Sequence, residues 1–144
     1  MKSPREFIVH AVNKKRYNNT KDIGGLDFII SSSEEDHRFS NREAVVLSTP
    51  IVGNTDIKVG DTVVTHFNVF RRWHDMKGRE RNSRSYFNES TYLINFDQIF
   101  LYKRNKDWTA PKGYCFIQPI KETDQFNTDV EKPLIGIVKY SDGT

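Results

Sequence analysis

Arg42-Glu43-Ala44-Val45-Val46-Leu47-Ser48-Thr49-Pro50, a polar loop, and then Asp56-Ile57-Lys58-Val59-Gly60-Asp61 decide the fold class of this chain. The apolar run breaks at Pro50, which has no N–H to give to a sheet ladder. After the loop, Gly60-Asp61 makes a tight turn and launches Thr62-Val63-Val64-Thr65-His66-Phe67. Two β-branched runs joined through a Val-Gly-Asp turn are how a small β-barrel turns a corner. The stretch holds no nucleophile, metal cage or phosphate loop. Its message is architectural.

Further strands appear on both sides of this stretch. Phe7 to Val12 reads as a first strand, followed by a polar, basic segment from Asn13 to Thr20 with Asn18-Asn19 as a turn signal. Gly24-Gly25 releases Leu26-Asp27-Phe28-Ile29-Ile30, in which Leu26, Phe28 and Ile30 alternate as on a half-buried strand. Ser31 to Asn41 is a polar loop, including Ser31-Ser32-Ser33 and Glu34-Glu35-Asp36. The strand opened at Thr62 is expected to run to Phe70. Arg71 to Arg84 is a long excursion, read as a hairpin or protruding loop. Tyr92 to Phe96 and Gln98 to Tyr102 close the set. No window keeps a helical period beyond two turns, so the chain is expected to be all-β and mostly antiparallel. Val9, Val45, Val63, Leu93 and Ile99 are the expected inward residues of those strands.

The 144 residues allow one domain, or one domain with an appendage. Hydrophobic residues make up 36% and aromatics 12%, and mean hydropathy is -0.67. That is the profile of a soluble β-protein with a thin core. No apolar run approaches the ~18 residues of a membrane helix, and Met1-Lys2-Ser3-Pro4-Arg5 lacks the apolar core of a signal peptide. One cysteine, Cys115, leaves no internal disulfide framework and fits a reducing compartment. A cytoplasmic setting is expected.

Charge is concentrated. Arg71, Arg72, Lys77, Arg79, Arg81 and Arg84 stand against Asp75 and Glu80, so this segment carries +4 while the whole chain carries +3. A local basic excursion asks for a local explanation.

The tail echoes the start. Cys115-Phe116-Ile117-Gln118-Pro119-Ile120 lines up with Phe7 to Val12, and Ile135-Gly136-Ile137-Val138 with Ala44 to Leu47. The copy lacks the long Gly-Gly loop and ends before any Val-Gly-Asp turn. Residues 1–106 are therefore expected to form a barrel, with the Gly-Gly loop at about 13–41 and the basic excursion at 71–84. Residues 107–144 are expected to form a two-strand extension, the opening of an incomplete second repeat.

The order of these pieces resembles the GroES-type co-chaperonin family. The resemblance rests on Phe7 to Val12, Gly24-Gly25 before an apolar strand, Arg42-Glu43-Ala44-Val45-Val46, Ile57-Lys58-Val59-Gly60-Asp61-Thr62-Val63-Val64, and Tyr92-Leu93-Ile94 leading to Asp97-Gln98-Ile99-Phe100. It covers roughly residues 7–102. The extra half-repeat is similar to longer, phage-encoded relatives of that family. The resemblance implies a mobile loop around Gly24 and Gly25, a chaperonin-binding triplet at Leu26, Asp27 and Phe28, and a seven-membered dome. The family usually has three apolar or near-apolar residues at the triplet. In an extended triplet alternate side chains point opposite ways, so Leu26 and Phe28 can anchor while Asp27 faces water. The basic excursion occupies the place of the family's roof hairpin, where six cations around a seven-fold axis would need counter-charge.

The expected partner-binding residues are Gly24, Gly25, Leu26 and Phe28 on the loop, and Arg71, Arg72, Trp73, Arg79 and Arg81 on the basic excursion. On the excursion, Trp73 would be the apolar anchor and the arginines would be partners for carboxylates. His10, His37, His66 and His74 lack metal-ligand spacing, Asp61 reads as a turn residue, and Cys115 as a buried, inert thiol. No base is paired with a nucleophile, so neither an enzyme nor a cofactor is expected. The partners expected are other protein subunits: copies of the chain, a chaperonin ring, or phage particle proteins. The leading function is a phage-encoded co-chaperonin in a host cytoplasm. The alternative is a virion protein that decorates or cements a capsid or tail. A nucleic-acid-binding barrel, with Trp73 stacking on bases, is third.

Overall fold

The computed structural model describes residues 1–29, 36–121 and 131–143. Ile30, the Ser31 to Glu35 part of the polar loop, and residues 122–130 of the extension lie outside them. Among the described residues thirteen strands follow in chain order. They are β1 (Phe7–Ala11), β2 (Thr20–Ile23), β3 (Leu26–Ile29), β4 (Glu43–Ser48), β5 (Thr62–Thr65), β6 (Arg72–His74), β7 (Glu80–Asn82), β8 (Tyr86–Asn88), β9 (Thr91–Ile94), β10 (Ile99–Arg104), β11 (Asp107–Thr109), β12 (Cys115–Lys121) and β13 (Glu131–Ser141). The helical structure among the described residues is three short 3-10 turns, at Val12–Lys14, His37–Phe39 and Phe96–Gln98. The chain is all-β and its strand pairs are antiparallel.

Seven strands form one sheet in the order β11-β10-β5-β4-β1-β9-β8. Phe7 and Val9 from β1, Ala44 and Val46 from β4, Val63 from β5, Tyr92 and Ile94 from β9, and Ile99 from β10 share one buried cluster. Side chains from near both ends of the strand order meet in that cluster, so the sheet curls around it. Ile57, Val69 and Phe70 enter the same core from connecting segments. The outer strands β11 and β8 are not paired with each other, so the sheet is not closed into a barrel among the described residues.

The corner at the Val-Gly-Asp turn is built as a clamp. Gly60 N–H donates to the Val46 carbonyl at 2.8 Å, and Val46 N–H donates to the Asp61 carbonyl at 2.9 Å. The Asp61 carboxylate accepts from Lys58 N–H at 2.9 Å and from both Nε and a terminal nitrogen of Arg104, at 3.1 and 2.7 Å. Burial pushes the Asp61 pKa up, but the Arg104 and Lys58 hydrogen bonds outweigh it and hold the carboxyl below its ordinary value. Asp61 is a turn residue tied across to β10.

Three expectations need correction. Val45 and Leu93 are only half-buried, while Ala44, Val46, Tyr92 and Ile94 point inward. A period of two says which residues share a face but not which face meets the core, so alternation alone does not choose between the two faces of either strand. The stretch expected as one strand from Thr62 to Phe70 ends at Thr65. Two turns follow, closed by Val69 N–H to the His66 carbonyl and Arg71 N–H to the Asn68 carbonyl. They swing Val69 and Phe70 into the core instead of along the sheet. Finally, β11 pairs with β10 through a turn at Asn105-Lys106, so residues 107–109 belong to the curled sheet and not to the extension.

Tyr92 sets up a test of the core. Its ring is fully buried, edge-on to Phe70 at 4.7 Å, yet its hydroxyl has no hydrogen-bond partner among the described residues. Burial pushes its pKa up to about 12. Because the folded value exceeds the unfolded one, ionisation costs stability as pH rises from about 10 towards about 12. Tyr92→Phe is expected to be neutral or to stabilise by up to about 1 kcal/mol at neutral pH, since it removes an unsatisfied buried group. It should also lessen the alkaline loss. Melting curves of parent and variant at pH 8 and pH 11 check both expectations.

Candidate functional site

β2 and β3 form a hairpin that hydrogen-bonds with no other strand among the described residues. Its turn is Gly24-Gly25, with φ of 64° and 85°. Two consecutive positive φ values suit the tight turn whose twist matches a hairpin, and glycine adopts them without a Cβ clash. Asp22 braces the turn, its carboxylate accepting from Gly25 N–H at 2.9 Å. The register pairs Lys21 with Phe28, Asp22 with Asp27, and Ile23 with Leu26. Cross-strand partners and alternate residues share a face, so Lys21, Ile23, Leu26 and Phe28 lie on one side. Asp27 lies on the other, 3.8 Å from the Lys15 ammonium. Ile23, Leu26 and Phe28 are 56%, 65% and 49% exposed, apolar side chains left uncovered among the described residues. The geometry separates Asp27 from Leu26 and Phe28 as alternation requires.

β6 and β7 form the basic hairpin, pairing Arg72 with Asn82, Trp73 with Arg81, and His74 with Glu80. Asp75 organises its tip. One carboxylate oxygen accepts from the backbone N–H groups of Lys77 and Arg79 at 2.9 and 3.0 Å. The other accepts from the Nε atoms of Arg79 and Arg81 at 3.2 and 3.1 Å. The Arg79 backbone N–H, more than any other contact, holds the Asp75 pKa below its ordinary value. Arg72 lies 3.5 Å from Glu80. Three of the four arginines expected to meet a partner, Arg72, Arg79 and Arg81, are therefore engaged within the hairpin itself. Arg71 differs in making no ion pair among the described residues; its guanidinium lies 5.8 Å from the Trp73 ring centroid, and its Nε is one of three buried side-chain polar atoms with no hydrogen-bond partner among them.

Arg71 and Trp73, together with His66, Asn68, Arg84 and Gln98, help line a cleft of about 550 Å³ between the turns after β5, the end of β7 and the turn before β10. That volume falls in the range of small-molecule sites.

Arg16 and Tyr17, which lie in the polar, basic segment from Asn13 to Thr20, hold the base of this hairpin. Arg16 is buried and donates to the carbonyls of Phe70 and Arg71 at 3.1 and 3.3 Å and to the Asn82 side-chain oxygen at 2.8 Å. The Tyr17 hydroxyl donates to the Arg72 carbonyl at 3.0 Å and accepts from Arg72 N–H at 2.7 Å. Asn41 fixes the same segment from below, donating from its side chain to the Val12 and Lys15 carbonyls. Nothing local in the sequence marks these roles, because every partner lies more than twenty residues away.

The extension is the hairpin β12–β13, which pairs only with itself among the described residues. The two echoing runs face each other, as their counterparts β1 and β4 do, with Ile117 opposite Val138 and Gln118 opposite Ile137. Ile117, Ile135, Ile137 and Val138 are all more than half exposed. Cys115, expected to be buried, is exposed, since no second layer covers this hairpin among the described residues.

Among the described residues no three His, Cys, Asp or Glu side chains gather as a metal cage, and no helix is long and apolar enough to cross a membrane. Comparison with protein-family models, with curated proteins and with solved structures finds no match to this chain.

Proposed function

We propose that this chain is a co-chaperonin-like assembly subunit, a GroES-type barrel of the longer phage-encoded kind, acting through protein–protein contacts and without catalysis in a host cytoplasm. The observation that carries this reading is the Gly-Gly hairpin. It offers Ile23, Leu26 and Phe28 on one exposed face and turns Asp27 away. An isolated two-stranded hairpin is marginal in water, and an apolar face of this kind gains stability by docking into an apolar groove. The order of elements supports the barrel: a first strand, the Gly-Gly hairpin, a strand leading through Val-Gly-Asp to its neighbour, and a hairpin before the closing strands.

The test is binding to a GroES-responsive chaperonin ring, followed by sedimentation. The parent should bind as a ring of subunits, and the Leu26→Ser/Phe28→Ser double variant should bind at least about 100-fold more weakly, since each of the two lost apolar side chains is worth roughly 1.5–3 kcal/mol when fully buried. Far-UV circular dichroism of the variant should match the parent. A parent that does not bind, or a double variant that binds equally well, would exclude this role.

A virion role is the second reading, and the extension favours it. A hairpin whose edges pair with no other strand among the described residues, and whose isoleucines are exposed, suits lattice contacts with neighbouring particle proteins. Copies recovered in purified particles, with no chaperonin binding, would select it.

A further inference from the structure

We infer that the cleft beneath the basic hairpin binds a nucleotide, with its phosphate on Arg71 and Arg84 and its base against Trp73. This goes beyond the protein-docking role. It rests on what the internal ion pairs leave over. Arg79 and Arg81 are held by Asp75 and Arg72 by Glu80, whereas Arg71 and Arg84 form no ion pair among the described residues and both line the same cleft. Arg71 also keeps a buried Nε with no hydrogen-bond partner among the described residues, and a buried guanidinium donor is rarely left unmatched unless something else completes it. Guanidinium forks match phosphate oxygens.

The rest of the lining fits the same ligand. Trp73 is half-buried, with Arg71 beside its ring, and an indole in a basic cleft is a stacking platform for a base. His66 Nδ1 accepts from Asn68 N–H at 3.2 Å, so in the neutral ring Nε2 carries the proton and is a donor. Asp97 supplies an acceptor suited to sugar hydroxyls, which a bare anion would not use. The cleft is large enough for a base, a sugar and a phosphate together. The same chemistry is offered by a free nucleotide and by a nucleotide within a single strand, and the experiment separates the two.

The experiment follows Trp73 fluorescence in a Trp108→Phe background, with calorimetry on the unaltered chain as a check that needs no substitution. AMP and a single-stranded octanucleotide are titrated separately, alongside inorganic phosphate and a polyglutamate peptide. Saturable quenching is expected with AMP or the octanucleotide, weakening as salt rises. Inorganic phosphate should bind at least tenfold more weakly. Arg71→Gln and Arg84→Gln should each weaken binding at least tenfold, while Arg79→Gln, already paired to Asp75, should leave it unchanged. Binding of AMP alone identifies a free nucleotide, and binding of the octanucleotide alone identifies a strand. The proposal is overturned if neither nucleotide probe binds, if phosphate binds as well as AMP, or if both arginine variants bind like the parent. Binding of polyglutamate in place of the nucleotides would reassign the cleft to a protein carboxylate.

Discussion

Phe70→Ala is expected to destabilise the protein by about 3–5 kcal/mol, the usual cost of emptying a fully buried aromatic site. Phe70 is 0% exposed although it lies in the connection between β5 and β6 and not on a strand. Its ring meets Tyr92 edge-on at 4.7 Å, and a geometry of this kind adds about 0.5–1.5 kcal/mol beyond burial. The two ends of the sheet do not pair with each other among the described residues, so the side chains that plug the core from connecting segments carry more of its packing. For a domain whose whole stability is roughly 5–15 kcal/mol, the loss would be a large fraction. Urea unfolding should show the midpoint falling with the slope unchanged. A shift below about 1 kcal/mol would mean that the site collapses around alanine, against the packing described here.

Arg16→Met is expected to cost about 2–4 kcal/mol, with the damage concentrated at the base of the basic hairpin. Methionine keeps much of the aliphatic stem and removes the guanidinium. Three acceptors on distant segments, the Phe70 and Arg71 carbonyls and the Asn82 side chain, then lose their donor together. The guanidinium also lies 5.4 Å from the Tyr86 ring centroid and 5.9 Å from that of Tyr92, so cation–π attraction is lost as well. Its contact with Glu89, at 3.4 Å to an exposed carboxylate, contributes little. Arg16→Lys should recover only a small part, because a single ammonium cannot serve three acceptors as a planar fork does. Urea unfolding gives the magnitude. Limited proteolysis should show faster cleavage near the hairpin tip at residues 76–79 in Arg16→Met than in the parent. Equal proteolysis and a loss below about 1 kcal/mol would remove Arg16 as the anchor.

The local features that could be read from the chain were those whose physics is local. Alternation at Leu26, Asp27 and Phe28 depends only on an extended backbone, and it holds in β3. The Gly24-Gly25 and Gly60-Asp61 turns depend on residues that tolerate or brace tight conformations, and both are turns. Two strands in the tail were expected from its likeness to Phe7 to Val12 and Ala44 to Leu47, and the structure adds that they pair with each other in one hairpin. What stayed hidden was non-local. Thr20–Ile23 is a strand because Leu26–Ile29 folds back on it, not because its own polar sequence prefers β.

The charge of the basic excursion divides in the same way. The sequence by itself determined the all-β class, the turn at Gly60-Asp61, the residues that share a face on each strand, and the net +4 between Arg71 and Arg84. Only the tertiary structure decided which face of β4 and β9 turned inward, because both faces alternate equally well and the neighbouring strands choose between them. It alone decided which arginines are spoken for. Registering β6 on β7 and folding the tip around Asp75 engaged Arg72, Arg79 and Arg81, leaving Arg71 and Arg84 at the cleft. An ion pair or a buried donor is a matter of a few ångströms between segments, and composition carries no such distances.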